Sequence, residues 1–588
     1  MKLKAPSLRS LGVAAVAVVG VLLVAGSVPT STVGPQENAA LSRAVGQVSQ
    51  DGGTLTLGST SLCDSFDPAK SFDTWCGVIF RLYSRNLMTF AGQPGVASLQ
   101  TQPDLAANAP IVSEDRTNWK FKLRGDAKFS DGSPVTAQDV KYSVERLFAP
   151  EMLGTVSQDF LCLLSSCTKG IAAYTGPYSA RNKSLASINT SGKYQITFQL
   201  NSPSPDFDRI LALPQFAVVE RVREAELRAK GRSYGDAPAS SGPFVFHFLA
   251  NRKGAYFTRN KNWHQSSDAI RSPHVTRINW QLFANSTRLN RATVRNQIDI
   301  RLGQDFNLTD PVTASALGSG RNQLDHPFDG YTSFIAVRPQ AAPLNRIACR
   351  QAIFYALDKS ALQSVLGGAD YSNIAQSLLS PTLAGYDPSS DAYSSAANPS
   401  GDLPAAQEAL LRCGYPDGFE LSMAYLNIGV GSRLFHSVQA SLARVGIVVA
   451  PKRFDTFEKF ITITRNSDEL TNENISLVIS GAQSTTGSAL DYWSAFVDGR
   501  LIKPFDNQNL AGLDDAAINS QLDQMTRTPE TTNSASAAID SIVMTKAVYL
   551  PYAQGQVLMY RNPRVLGIYI QQALAGQYDV VNVGLPAK

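Results

Sequence analysis

The chain has 588 residues, 44% hydrophobic and 17% charged, which fits a folded protein with more than one core rather than a disordered one. Its formal net charge is only +5, and no dense Lys/Arg block occurs, which argues against a nucleic-acid partner. The most basic stretch, residues 221–232 (RVREAELRAKGR), is interleaved with Glu224 and Glu226 and reads as a solvated helix.

Lys2, Lys4 and Arg9 precede an uncharged apolar run at residues 11–26 (LGVAAVAVVGVLLVAG), the layout of an export signal. The run is short for a spanning helix, which needs about 20 residues, so residues 1–27 are expected to be a signal peptide or an uncleaved anchor. Residues 28–50 are small, polar and Pro-containing, and read as a flexible tether.

Residues 53–58 (GTLTLG) read as the first strand, followed by a turn at Ser65-Phe66-Asp67-Pro68 and a helix over 77–87. Residues 119–124 (WKFKLR) alternate apolar and polar residues, as a half-buried strand does. Ser130-Asp131-Gly132-Ser133-Pro134 is turn chemistry. Thr136 and Asp139 have capping-box spacing, and Val140, Val144 and Leu147 share one face of the helix that follows. Residues 194–200 (YQITFQL) alternate again, and 205–213 form a short Pro-initiated helix.

Further on, strands are expected at 275–280 and 331–337. Helical periodicity runs through 343–366, reset at Asp358-Lys359. Helices at 404–414 and 432–445, each stopped by Gly, alternate with strands at 419–425 and 447–450. Such alternation argues for α/β lobes.

Six Cys in an exported chain suggest disulfides. Cys162 with Cys167 and Cys63 with Cys76 are the candidate pairs; Cys349 and Cys413 read equally well as buried free thiols. The five His show no H-E-x-x-H or paired spacing, so no metal site is expected. With no G-x-x-x-x-G-K-[ST], no G-x-S-x-G and no recognisable nucleophile–base context, no catalytic group and no cofactor is expected, and the chain reads as a non-enzyme.

Residues 128–148 (KFSDGSPVTAQDVKYSVERLF) resemble the signature of the family 5 extracellular solute-binding proteins, the peptide- and nickel-binding receptors of ABC importers. Residues 343–366 (PLNRIACRQAIFYALDKSALQSVL) resemble that family's second long motif. Shorter resemblances occur at residues 102–106, 239–244 and 259–264, and together they extend over about 53–585. The resemblance implies an α/β, two-lobed periplasmic-binding-protein-like fold of type II, with a small domain inserted in the first lobe. The implied division is 51–98, 229–321 and 555–588 for the first lobe, 99–228 for the insert, and 322–554 for the second lobe.

It also implies a receptor that captures peptides or another small-molecule solute, and docks as a monomer on ABC permease transmembrane subunits. Membrane association would come only through that partner or an uncleaved N-terminus. Relatives carry a lipidated Cys where this chain has Ser27, so release after export is expected. The competing readings are a sensor or scavenger not coupled to uptake, and a receptor for a non-peptide solute such as an oligosaccharide.

In peptide-binding relatives an Asp in a second-lobe loop pairs with the peptide ammonium. Here that stretch reads LVISGAQSTTGSALDYWSAF (residues 477–496), and the expected Asp is Ser or Thr. Asp491 is the nearest acid, with Tyr492 and Trp493 beside it; it either meets the ammonium or caps the following helix. Gln483 and Thr485 are candidates for neutral hydrogen bonds to ligand. Asp67 in the D-P turn, Trp75 beyond it, Ser240 and Ser241 in the 239–244 element, and Tyr331 on the hinge strand complete the candidate ligand-binding set.

Overall fold

The computed structural model describes residues 38–587 apart from 153, 169, 179–183 and 505. The expected signal segment 1–27 and the start of the expected tether lie outside the described residues. The described part of that tether is not free. It forms a short helix, Ala39–Ser42, with Ala39 and Ala40 buried. Ala40 N donates to Asp325 Oδ1 at 3.2 Å, and Val45 N donates to Ile568 O at 2.8 Å. Small residues and one bridging strand position let this segment dock where a composition argument sees only a linker.

Three sheets carry the molecule. A five-stranded sheet has the order Phe244–Phe248, Gly254–Arg259, Arg277–Leu282, Thr54–Ser59, Ile300–Arg301. Thr54–Ser59 runs parallel to both of its neighbours. Its core holds Leu55, Leu57, Phe244, Phe257 and Trp280 together with Ile568, Ile570, Val580, Val581 and Val583 from the end of the chain.

A four-stranded antiparallel sheet, Ile111–Val112, Asn118–Lys122, Gln195–Gln199, Ile188–Ser191, has its own core. Alternation explains it. Trp119 and Phe121 are buried while Lys120 and Lys122 face water, and across the ladder Trp119 opposes Phe198 and Phe121 opposes Ile196. Helix Ala137–Arg146 starts with the full capping box of Thr136 and Asp139. It lays Val140 and Val144 into the same core.

A six-stranded sheet has the order Ser372–Ile374, Tyr549–Gln556, Phe328–Val337, Leu477–Ala482, Glu420–Leu426, Val448–Phe454. Helices cover both faces, so the inner end of its central strand, residues 334–337, is apolar and buried throughout. Phe334 and Ala336 enter one core, Ile335 and Val337 the other. The helical stretch at 343–366 is two helices, Ile347–Ala356 and Lys359–Val365, parted at Asp358, whose carboxylate caps the second by accepting from Ala361 N.

Cys63 is bonded to Cys76 and Cys162 to Cys167. Cys349 and Cys413 are also bonded to each other, which decides their open reading for a disulfide. They lie on adjacent helices, Ile347–Ala356 and Leu403–Cys413, a proximity that a separation of 64 residues hides from the sequence.

Candidate ligand-binding cleft

A cavity of about 200 Å³ opens between the units built on the three sheets. Ser71, Asp73, Gly77 and Phe80 line it from the helix Gly77–Tyr83 and the turn before it. Gln572 to Ala575, near the chain's end, lie beside them. Thr155, Val156 and Phe160 reach it from the small sheet's unit. The far wall is Asp329 and Gly330, Thr382 and Leu383, and the loop residues Gln483, Ser484, Thr485 and Gly487.

The loop 483–487 is held from behind. Asp491 Oδ2 accepts from Ser484 Oγ and Thr485 N at 2.8 Å, from Thr486 N at 3.1 Å and from Thr486 Oγ1 at 3.2 Å. Asp491 stands in the first turn of helix Ala489–Val497, where a negative charge also suits the helix dipole. Asp491 therefore organises the loop and lines no part of the cavity, the arrangement expected of the helix-start reading rather than of contact with a ligand ammonium. Gln483 and Thr485 do face the cavity.

Five other candidates are structural. Asp67 is fully buried and ion-paired to Arg146, with Ala69 N donating to it at 3.3 Å. Ser240 Oγ donates to Tyr83 O at 2.8 Å, and Ser241 Oγ accepts from Arg85 N at 3.0 Å. Both serines brace a buried turn. Tyr492 and Trp493 are buried in the core; Tyr492 OH donates to Leu378 O at 2.7 Å, and Trp493 Nε1 donates to Ser536 Oγ at 2.8 Å.

The remaining two do not line the cavity either. Trp75 packs edge-on against Trp280, with centroids 6.0 Å apart. It lines a separate open depression with Ser59, Leu302 and Asp305, beyond the ends of two parallel strands. Tyr331 is 39% exposed and lies over Gly481, where a Cβ would come within 2.3 Å of its ring. Its neighbours Asp329 and Gly330, not Tyr331 itself, line the cavity.

Among the described residues, the charged side chains lining the cavity are Asp73 and Asp329. Burial pushes the Asp329 carboxyl up from its ordinary value. Two contacts cross the cleft at its edge. Ser488 Oγ donates to Asp206 Oδ2, and Arg209 Nη1 donates to Thr486 O at 3.4 Å. One cluster of potential metal-ligating atoms, Asp64, Asp73 and Cys76, includes a sulfur already bonded to Cys63 and so not a thiolate. No helix among the described residues is long and apolar enough to cross a membrane.

Sequence reasoning missed Asp329 and Gly330, Thr382, and residues 572–575. The only local signal was the Asp-Gly dipeptide at 329–330, a turn former inside a strand.

Residues 100–502 match the model for the bacterial extracellular solute-binding proteins, family 5 middle. The chain is 26% identical over 319 residues to the "Probable D,D-dipeptide-binding periplasmic protein DdpA" of Escherichia coli (strain K12), a match covering 53% of this chain and 55% of that protein. It is 23% identical over 347 residues to the oligopeptide-binding protein OppA of Bacillus subtilis (strain 168), covering 58% of this chain and 59% of OppA. Among solved structures it is similar to "Clavulanic acid biosynthesis oligopeptide binding protein 2", with TM-score 0.83 and 30% identity. That match covers 94% of this chain and 99% of the other.

Proposed function

Because this chain belongs to the bacterial extracellular solute-binding proteins of family 5, we propose that it is the substrate-capturing component of an ABC importer, taking up peptides between two lobes. The observation that carries this reading is the cavity itself, walled on one side by residues 71–80 and 572–575 and on the other by 329–330 and 483–487. Two bodies with separate cores meeting over one space of mixed polar and apolar lining are what hinge closure on a solute requires. The relatives' names, which speak of dipeptides and oligopeptides, favour a peptide as that solute.

The three cores support a division into a first lobe (51–98, 229–321, 555–588), an inserted unit (99–228) and a second lobe (322–554). The antiparallel pair Leu324–Asp325 with Met559–Tyr560 lies near both crossings between lobes and supports a hinge there. Asp325, buried and ion-paired to Arg561, fixes that pair from beneath. In this reading the protein acts as a monomer, and a permease supplied by other chains accepts the solute. The basic residues and apolar run within residues 2–26 support export, and Ser27 in place of a Cys supports release without lipidation.

The test is native mass spectrometry of the protein purified from its own host without refolding. Bound species of peptide mass support the reading. A protein that emerges empty and then ignores a random peptide library refutes it.

A further inference from the structure

Resting on the reading of the cavity as the capture site, we propose that Asp329 anchors a cationic group of the ligand, an ammonium or a guanidinium. The backbone places this carboxylate deliberately. Strand Phe328–Val337 pairs with Tyr549–Gln556 at Phe328↔Gln556 and resumes at Thr332↔Gln554. Residues 329–331 therefore stand out of the ladder as a bulge, with Gly330 at φ +86°. The Asp329 carboxylate lies over Gly555, where a Cβ would come within 2.5 Å of its Oδ2. A side chain at position 555 would occupy the space the carboxylate uses.

The second observation is the missing counter-ion. Asp329 Oδ1 accepts one hydrogen bond, from Tyr331 N at 2.8 Å. Among the described residues it has no Lys, Arg or His partner, and the cavity lining supplies none. Several buried acids elsewhere are paired with a cation: Asp67 with Arg146, Asp104 with Arg85 and Arg271, Asp579 with Arg81. Asp139, Glu220 and Asp540 are buried without one, but they accept from Thr136 N, Ser133 Oγ and Leu378 N respectively, and none lines the cavity. Burial raises the Asp329 carboxyl, so the ionised form is destabilised until a cation arrives. A cationic ligand relieves that penalty; an anionic one finds two carboxylates and no positive side chain in the cavity wall.

The experiment uses the full exported chain and three random tetrapeptide amide pools, read by native mass spectrometry. The first pool has free N-termini and lacks Lys, Arg and His. The second is N-acetylated and contains Lys and Arg. The third is N-acetylated and lacks all three. The native protein is expected to retain the first or the second pool at least about tenfold better than the third. Asp329→Asn, which keeps an acceptor for Tyr331 N, is expected to abolish that preference while melting no lower than the native protein.

Retention of the first pool assigns an ammonium; retention of the second with loss of the first assigns a side-chain cation. Equal retention of all three pools, or a preference that survives Asp329→Asn, overturns this inference and leaves peptide capture standing. Retention of no pool overturns the peptide reading, and the inference with it.

Discussion

Asp206, from the inserted unit, accepts a hydrogen bond from the hydroxyl of Ser488, the residue that caps the helix behind the second-lobe loop. The contact spans the cleft, and Arg209 reinforces it by donating to Thr486 O. In the proposed closure the inserted unit would take part through this side chain, whose carboxyl is pushed up by burial.

Asp206→Ala removes the crossing bond and leaves the Ser488 cap in place. A hydrogen bond to a charged group contributes about 1.5–3 kcal/mol, so ligand affinity is expected to fall about tenfold or more. The radius of gyration by small-angle scattering is expected to rise in the ligand-free protein. An unchanged radius and affinity would show that the contact does not govern closure.

Arg146 gives the 128–148 motif a structural role. From the last turn of helix Ala137–Arg146 it reaches Asp67 in the D-P turn, and both side chains are fully buried. Arg146→Ala strands a buried carboxylate and is expected to cost about 3–5 kcal/mol of stability. Denaturant titration measures the loss, and the double variant with Asp67→Ala is expected to lose less than the sum of the single changes.

The Cys349–Cys413 bond ties two helices of the second lobe across 64 residues of chain. Replacing both Cys by Ala is expected to cost about 2–5 kcal/mol. The loss should appear as a lower melting temperature under non-reducing conditions, and free-thiol titration of the unfolded native chain should find no reactive thiol.

Asp540 gives the fold an acid-side pH dependence. Burial raises its carboxyl from 3.8 to about 6. Between those values the folded state holds a proton that the unfolded state has released. Its contribution is therefore fully present below about pH 4 and is lost as pH rises through about 6. Asp540→Asn keeps a neutral acceptor for Leu378 N. It is expected to be more stable than the native protein at pH 7–8, by about 3 kcal/mol at most, and to have a flatter stability profile between pH 4 and 6. Melting curves across that range measure both.

Much of the fold was legible because its signals are local. The capping box at Thr136 and Asp139, the alternation at residues 119–122 and Gly414 at φ +82° ending its helix depend on a few neighbouring residues. The cleft was less legible because its geometry is not local. Tyr492 and Trp493 sit beside a cleft loop in sequence, yet the helix turns both rings into the core. Asp491 lies in the first turn of its helix, which the sequence allows, but its four loop donors appear only when the loop folds back over it. Asp329 owes its place in the cavity wall to a register shift against a strand near the other end of the chain, which no local pattern reports. Residues 572–575 reach the cavity only because the chain returns to its first core.

The central claim is that solute is held between the two lobes, and hydrogen exchange with and without a bound peptide tests it most directly. Peptide binding is expected to slow exchange at residues 77–83 and 572–575 on one wall and at 329–331 and 483–487 on the other, in the same experiment. Binding that protects neither wall, or protects only a surface away from the cavity, would contradict the account.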